Sequence, residues 1–216
     1  MRVTLADISK MNVTGPGGEI YAGGSQEWYT DRWHKLAGCG PTAAANLIWY
    51  MNRPTSEDSS GGGDIGDYLR LQLEMFGFVT PGMQGVNTPG IFTDGLSGYG
   101  LKHELDIAAR VLEIPKKPRK RPETADVRGF LSAALSSDSP VAFLNLSNGT
   151  LQNLENWHWV TVTAVDCLDG NDELAASVCD QGKAFEIDFG EWLKTSALGG
   201  ALVCLKIQLN AAQPPV

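Results

Sequence analysis

The chain has 216 residues, with only three histidines and four cysteines. One of each stands where chemistry is feasible. Cys39 lies in Ala37-Gly38-Cys39-Gly40-Pro41-Thr42, which runs at once into Ala43-Ala44-Ala45-Asn46-Leu47-Ile48-Trp49-Tyr50-Met51. Gly38 and Gly40 free the backbone on either side of the cysteine. Pro41 suits a first helical turn, since its missing N–H would be unpaired there. Three alanines propagate the helix, and Asn52-Arg53-Pro54 stops it. Cys39 is therefore expected at or just before a helix N-terminus, where unpaired N–H groups and the macrodipole favour negative charge. Thiolate is the nucleophilic form of cysteine, and such positions favour it. The same placement also suits a buried structural cysteine.

A nucleophilic cysteine needs a base. His34 stands five positions before Cys39 in an aromatic segment, and His103 is flanked by Lys102 and Glu104 in a stretch expected to be a solvated helix surface. His158 heads the most β-branched stretch of the chain, His158-Trp159-Val160-Thr161-Val162-Thr163-Ala164-Val165. Strand alternation puts His158 with Val160 and Val162, and both Trp157 and Trp159 on the other face. A histidine there either packs or faces a cleft. An imidazole base also needs an orienting carboxylate or amide to fix its tautomer. If the strand after His158 and the strand ending at Asp180 pair antiparallel, Asp180 returns beside His158, while Asp166 and Asp172 fall at the far end as turn residues.

Composition narrows the function classes. A net charge of −8 disfavours a general nucleic-acid binder or a binder of acidic membranes. No apolar run approaches membrane-spanning length. Cys39, Cys167, Cys179 and Cys204 are widely spaced without a CxxC, which argues against a structural zinc site and a disulfide-dense scaffold. The N-terminal residues Met1-Arg2-Val3-Thr4-Leu5 lack the pattern of a secretory signal, so a cytoplasmic chain is expected. Hydrophobic content of 43% suits one domain over residues 1–216 with a real core.

The elements that must position these residues change character along the chain. Helices are expected over Ile65 to Phe78, Pro89 to Tyr99, Leu101 to Leu112 and Thr124 to Ser136. Gln26 to Leu36 brings Trp28, Tyr29 and Trp33 to the approach to the cysteine helix, and Thr55 to Gly63 reads as a loop. The basic run Lys116, Lys117, Arg119, Lys120 and Arg121 sits among prolines and reads as an exposed connector. Strands are expected at Pro140 to Leu146, from His158, at Leu174 to Cys179, Ala184 to Ile187 and Ala201 to Leu209, with a turn over Asp166 to Asp172 and a short helix from Asp188 to Thr195. A helical part over about 26–136 followed by a mainly antiparallel sheet over about 140–209 is an α+β arrangement.

The order Cys, helix, His on a strand, then Asp after a hairpin resembles papain-like cysteine peptidases. Gly38-Cys39-Gly40-Pro41-Thr42, Ser139-Pro140-Val141 and His158-Trp159-Val160-Thr161-Val162 look most like the bacterial C39-like branch. The resemblance spans about Gln26 to Leu209. It implies a papain-like fold, Cys39 as nucleophile, His158 as acid/base, Asp180 as orienter and a peptide or protein substrate, with no metal or organic cofactor. Such families also use a glutamine before the cysteine as an oxyanion donor; Gln26 is the only one available, at a longer separation than usual. An extra turn over Glu27 to Leu36, anchored in the core by Trp28 and Trp33, would bring it back. The long segment from Thr55 to Pro122 departs from the pattern, so the family does not supply the substrate cleft. The competing expectation is a non-catalytic module on the same fold, holding a peptide in an aromatic cleft of Trp28, Trp33 and Trp157.

Overall fold

The computed structural model describes residues 1–53, 63–167 and 173–209. The loop expected over Thr55 to Gly63 and the turn expected over Asp166 to Asp172 fall mostly outside them.

Three short strands, β1 (Arg2–Thr4), β2 (Asn12–Thr14) and β3 (Ile20–Ala22), precede the helices α1 (Arg32–Ala37) and α2 (Cys39–Asn52). A two-residue strand β4 (Gly63–Asp64) leads into α3 (Ile65–Phe78), and α4 (Pro89–Lys102) is followed by strand β5 (Leu105–Ile114). Helix α5 (Thr124–Ser136), strands β6 (Val141–Asn145), β7 (His158–Cys167), β8 (Leu174–Asp180) and β9 (Lys183–Asp188), helix α6 (Phe189–Thr195) and strand β10 (Gly200–Leu209) complete the order. The protein is α+β.

One large antiparallel sheet runs β5-β10-β6-β7-β8-β9, with β1 added on β7. Helices cover both of its faces, which is why β6 is buried at all five positions, Val-Ala-Phe-Leu-Asn. Alternation divides these side chains: Val141 and Phe143 join the core beneath α5 and α6, Ala142 and Leu144 the core beneath α2, α3 and α4. Phe143 meets Phe189 and Trp192 at ring separations of 4.7 and 4.6 Å. Each such fully buried aromatic contributes about 1.5–3 kcal/mol of transfer free energy. On the other face Trp159 stacks on Phe92 at 4.3 Å, which fastens α4 to the strand that carries His158.

The helix expected over Leu101 to Leu112 is a correction. Helix α4 continues to Lys102, His103 caps it, and Glu104 takes a left-handed backbone with φ of 56°. The chain reverses there and Leu105–Ile114 pairs with β10 over its whole length. The clustered apolar residues of this stretch fit a helical period, but alternation also accounts for them: Leu105 and Ile107 face α4, whereas Leu112 and Ile114 pack towards the other core. The expected helical part over 26–136 thus contains an edge strand of the sheet.

Candidate active site

Cys39 is the first residue of α2, and Gly38 separates it from α1. A glycine is needed at 38 for close approach: a Cβ there would stand 2.3 Å from the His34 carbonyl oxygen and 2.6 Å from the Tyr29 ring. The cysteine is held in this kink with its side chain largely buried.

His158 opens β7 and is buried. Its Nε2 lies 2.8 Å from Asp180 Oδ1, and the ring borders the same recess as Cys39. With Nε2 engaged by the carboxylate, Nδ1 is the nitrogen left for the sulfur. Burial works against a charged imidazole, but the bond to Asp180 and then the nearby Cys39 sulfur outweigh it and raise the His158 pKa to about 10. The structure therefore brings Cys39, His158 and Asp180 together in that order. Asp180 arrives as the antiparallel reading requires, at the end of β8 and one position past the pairing of Cys179 with Thr161. Asp166 is elsewhere, in an ion pair with Arg2 at 2.7 Å.

The turn that bears Asp180 is held from outside. Gln181 and Gly182 have φ of 48° and 73°, and Asp180 pairs with Lys183, so the β8–β9 connection is a two-residue turn of the mirror-image kind favoured in hairpins. Gly182 N–H donates to the Gly24 carbonyl at 3.0 Å, and Ser25 Oγ donates to Gln181 Oε1 at 2.6 Å. The segment just before Gln26 is thereby tied to the segment just after Asp180.

Gln26 does return to the cysteine. It lines a small recess of about 10 Å³ together with Cys39, His158 and Asp180. Its Nε2 donates one hydrogen to the Lys35 carbonyl at 2.9 Å, and its Oε1 is buried without a partner among the described residues. The excursion between Gln26 and Cys39 is the predicted extra turn, α1, and Trp28 packs against the core as expected, but the other anchor differs. Trp33 is exposed rather than packed in the core. Tyr29 is the buried anchor, donating to the Gln72 carbonyl at 2.9 Å, and His34 packs on Phe76 at 3.8 Å. His34 thus serves packing.

Asn46, which the sequence reading passed over, ties three of these segments together. It lies on α2, buried two turns beyond Cys39. Its Oδ1 accepts from Gly24 N–H at 2.9 Å and from Tyr68 Oη at 2.6 Å, and its Nδ2 donates to Thr161 Oγ1 at 3.0 Å. One amide therefore joins the helix of Cys39, the strand of His158 and the approach to Gln26. A Cβ on Gly24 would sit 2.1 Å from Tyr68 Oη, so only glycine lets that segment come so close. On the His158 side, Asn145 is paired with His158 across β6 and β7, and its Nδ2 donates to the Glu155 carbonyl. A sequence signal existed for Asn46: a polar residue within the apolar run Ala43 to Tyr50.

In front of Cys39 lies an open cleft of about 410 Å³ lined by Trp33, Leu36, Met83, Gln84 and Trp157 as well as the cysteine. The aromatic cleft expected from Trp28, Trp33 and Trp157 is corrected in one member. Trp28 sits between Tyr21 and Tyr68 at ring separations of 5.1 and 5.8 Å, and the segment between α3 and α4 supplies Met83 instead. Trp157 does not continue the alternation of β7; it takes φ of 55° before the strand and stays half-exposed, while Trp159 is buried and donates to the Val86 carbonyl at 2.6 Å.

The remaining reactive groups are placed differently. Burial pushes the Cys179 thiol up to about 12 and raises that of Cys204. His103 meets Glu74 at 2.9 Å on the surface. Within the basic run, Arg121 donates to the carbonyls of Pro115, Lys116, Leu193 and Ser196 at 2.6–3.1 Å, so the connector is fastened to the end of α6. Among the described residues no group of three or more His, Cys, Asp or Glu side chains converges as a metal site requires. No helix among them is long and apolar enough to cross a membrane. Compared with known proteins, the chain is matched by no family model and by no curated protein sequence.

Proposed function

We propose that the protein is a cysteine peptidase, or a related amide hydrolase or acyl transferase, that works through a thioester on Cys39. The observation that carries the reading is a buried His158, hydrogen-bonded to Asp180, that lines one small recess with Cys39. It is supported by the papain-like order of these residues and the likeness of their local sequences to the C39-like branch.

In this reading the Cys39 proton resides on His158, and Asp180 steadies the imidazolium and fixes its ring. The sulfur attacks the substrate carbonyl carbon, and the carbonyl π electrons move to oxygen. Gln26 Nε2, which has a second hydrogen besides the one given to Lys35, and the N–H of Cys39 are the donors assigned to that oxyanion. When the tetrahedral intermediate collapses, the C–N bond breaks and His158 protonates the departing amine, leaving the thioester. His158 then takes a proton from water, the oxygen attacks the thioester, and the acid leaves as the sulfur recovers its negative charge. An amine in place of water gives acyl transfer.

Iodoacetamide labelling of the native protein, read by peptide mapping, tests the assignment. Cys39 should label first, with Cys179 and Cys204 slow because they are packed and their thiols resist ionisation. Preferential labelling of any other cysteine would sink it. A second reading, a peptide-binding module without chemistry, draws on the same open cleft; it requires Cys39 to be no more reactive than a thiol in the unfolded chain.

A further inference from the structure

We infer that the cleft beside Cys39 selects substrates by a bulky, uncharged apolar side chain next to the amide that is cut. The inference rests on the proposed function, since it takes the Cys39 sulfur as the point of attack. Four of the large apolar side chains that the protein leaves in solvent gather around this one cleft: Trp33 at 44% exposure, Leu36 at 69%, Met83 at 99% and Trp157 at 51%. Scattered exposed apolar residues need no explanation, but a cluster beside a reactive group marks a contact surface. Its volume of about 410 Å³ lies within the range of roughly 300–1,000 Å³ usual for ligand pockets.

The walls are built rather than incidental. Trp157 keeps a left-handed backbone, φ of 55°, a conformation costly for an aromatic residue and persistent only where the surroundings enforce it. It stands directly before His158. Met83 sits at the tip of a tight turn closed by mutual backbone bonds between Gly82 and Gly85 at 3.2 and 2.9 Å. The base of that turn is fixed by Trp159 donating to Val86 and by Val86 packing 2.7 Å from where a Cβ of Gly40 would be. The opposite wall, Trp33 and Leu36, rides on α1, which ends at the kink holding Cys39.

The lining chemistry chooses the occupant. Apart from the Cys39 sulfur itself, no lining residue carries a charge, and Gln84 is the one long polar side chain. A charged side chain placed there would lose hydration without a partner. An apolar one would remove its own surface and that of two tryptophans from water. The cleft is a trough open to solvent, since its walls are so exposed, which suits one side chain of a polypeptide that continues past it. A fatty chain would need enclosure along its length.

The test compares blocked aminoacyl chloromethyl ketones bearing Phe, Leu, Asp or Lys, with Cys39 alkylation read by mass spectrometry and each rate divided by that of the same probe with a free thiol. Phe and Leu should alkylate Cys39 about 10- to 100-fold faster than Asp. Met83→Glu should slow the Phe probe and speed the Lys probe, an exchange of preference that a misfolded variant cannot produce. Equal normalised rates, or unchanged ratios in Met83→Glu, overturn the inference and leave the chemistry of Cys39 untouched. If Cys39 reacts no faster than an unfolded thiol, the proposed function fails instead. The cleft is then read in Cys39→Ser by calorimetry with blocked phenylalaninamide and aspartamide. Binding of the first alone supports the inference; binding of neither, or of both alike, overturns it.

Discussion

Cys39 stands between two regions built on opposite principles. Behind it, Thr42, Asn46, Gln72 and Thr161 are buried polar residues joined to one another or to the backbone, as in Gln72 Nε2 to Thr42 Oγ1 at 2.7 Å. In front, the cleft is open and lined mostly by apolar side chains. A buried polar network has few arrangements that satisfy every group, so it holds neighbouring segments at fixed distances. An open apolar surface fixes little and gains its energy only when something covers it. Under the proposed function, the rear therefore sets geometry and the front sets choice.

Variants on the two sides should separate accordingly. The largest effect is expected from His158→Ala, which should slow Cys39 alkylation at neutral pH by roughly 10²–10⁴, the usual share of a positioned acid/base; a rate within threefold of wild type would detach the imidazole from the thiol. Gln26→Ala should lower acylation of a working substrate by roughly 10²–10³ while iodoacetamide still labels Cys39. A parallel loss in both measurements would instead make Gln26 a structural support. Asp180→Ala should reduce turnover about 10- to 100-fold, and Asp166→Ala should leave it near wild type. The reverse ranking would contradict the pairing of β7 and β8.

Smaller effects sharpen the contrast. Asn46→Ala strands Gly24 N–H and frees two hydroxyls, so it should destabilise by about 1–3 kcal/mol in urea unfolding. Trp33→Ala, on the exposed side, should stay within about 0.5 kcal/mol. Equal losses would erase the distinction between rear and front. Stability should also follow pH with a defined sign. The His158 pKa is raised from 6.5 to about 10, so protonation of this ring favours the folded state. That contribution is full below about 6.5 and is lost as pH rises through about 10. The urea midpoint of wild type relative to His158→Gln should shrink from pH 6 to pH 10, and a gap that widens would refute the charged imidazole.

Much of this arrangement was legible in the residues, and the parts that were not share a cause. Helix α3 and helix α5 are bounded as the periodicity requires, and β7 follows its β-branched content. Asp180 follows from antiparallel pairing together with the residue order of the family the chain resembles. Leu105–Ile114 was misread because its apolar residues satisfy both periods; the reversal at Glu104 that decides between them is set by a left-handed residue without a glycine to announce it. Trp33 was expected in the core on grounds of hydrophobicity, yet Tyr29 took that place because its hydroxyl finds the Gln72 carbonyl. Asn46 acts through partners 22 and 115 residues away, and no local window contains them. Met83 comes to the cleft from a segment whose position depends on Trp159.

The clasp between Gly24 and Gly182 has a consequence for the newly made chain. A polypeptide still growing from its N-terminus carries Cys39 early, but the base and the carboxylate that complete the arrangement are more than a hundred residues behind. The hairpin that presents Asp180 seals against Gly24 and Ser25 only when its turn has formed, so the last tie closes a loop of more than 150 residues. Contacts of such sequence separation form late, because the entropy of closing the loop must be overcome first. Under the proposed function, the thiol is thus without its base until that hairpin has been made, and a shorter chain lacks the group needed to attack the polypeptides around it.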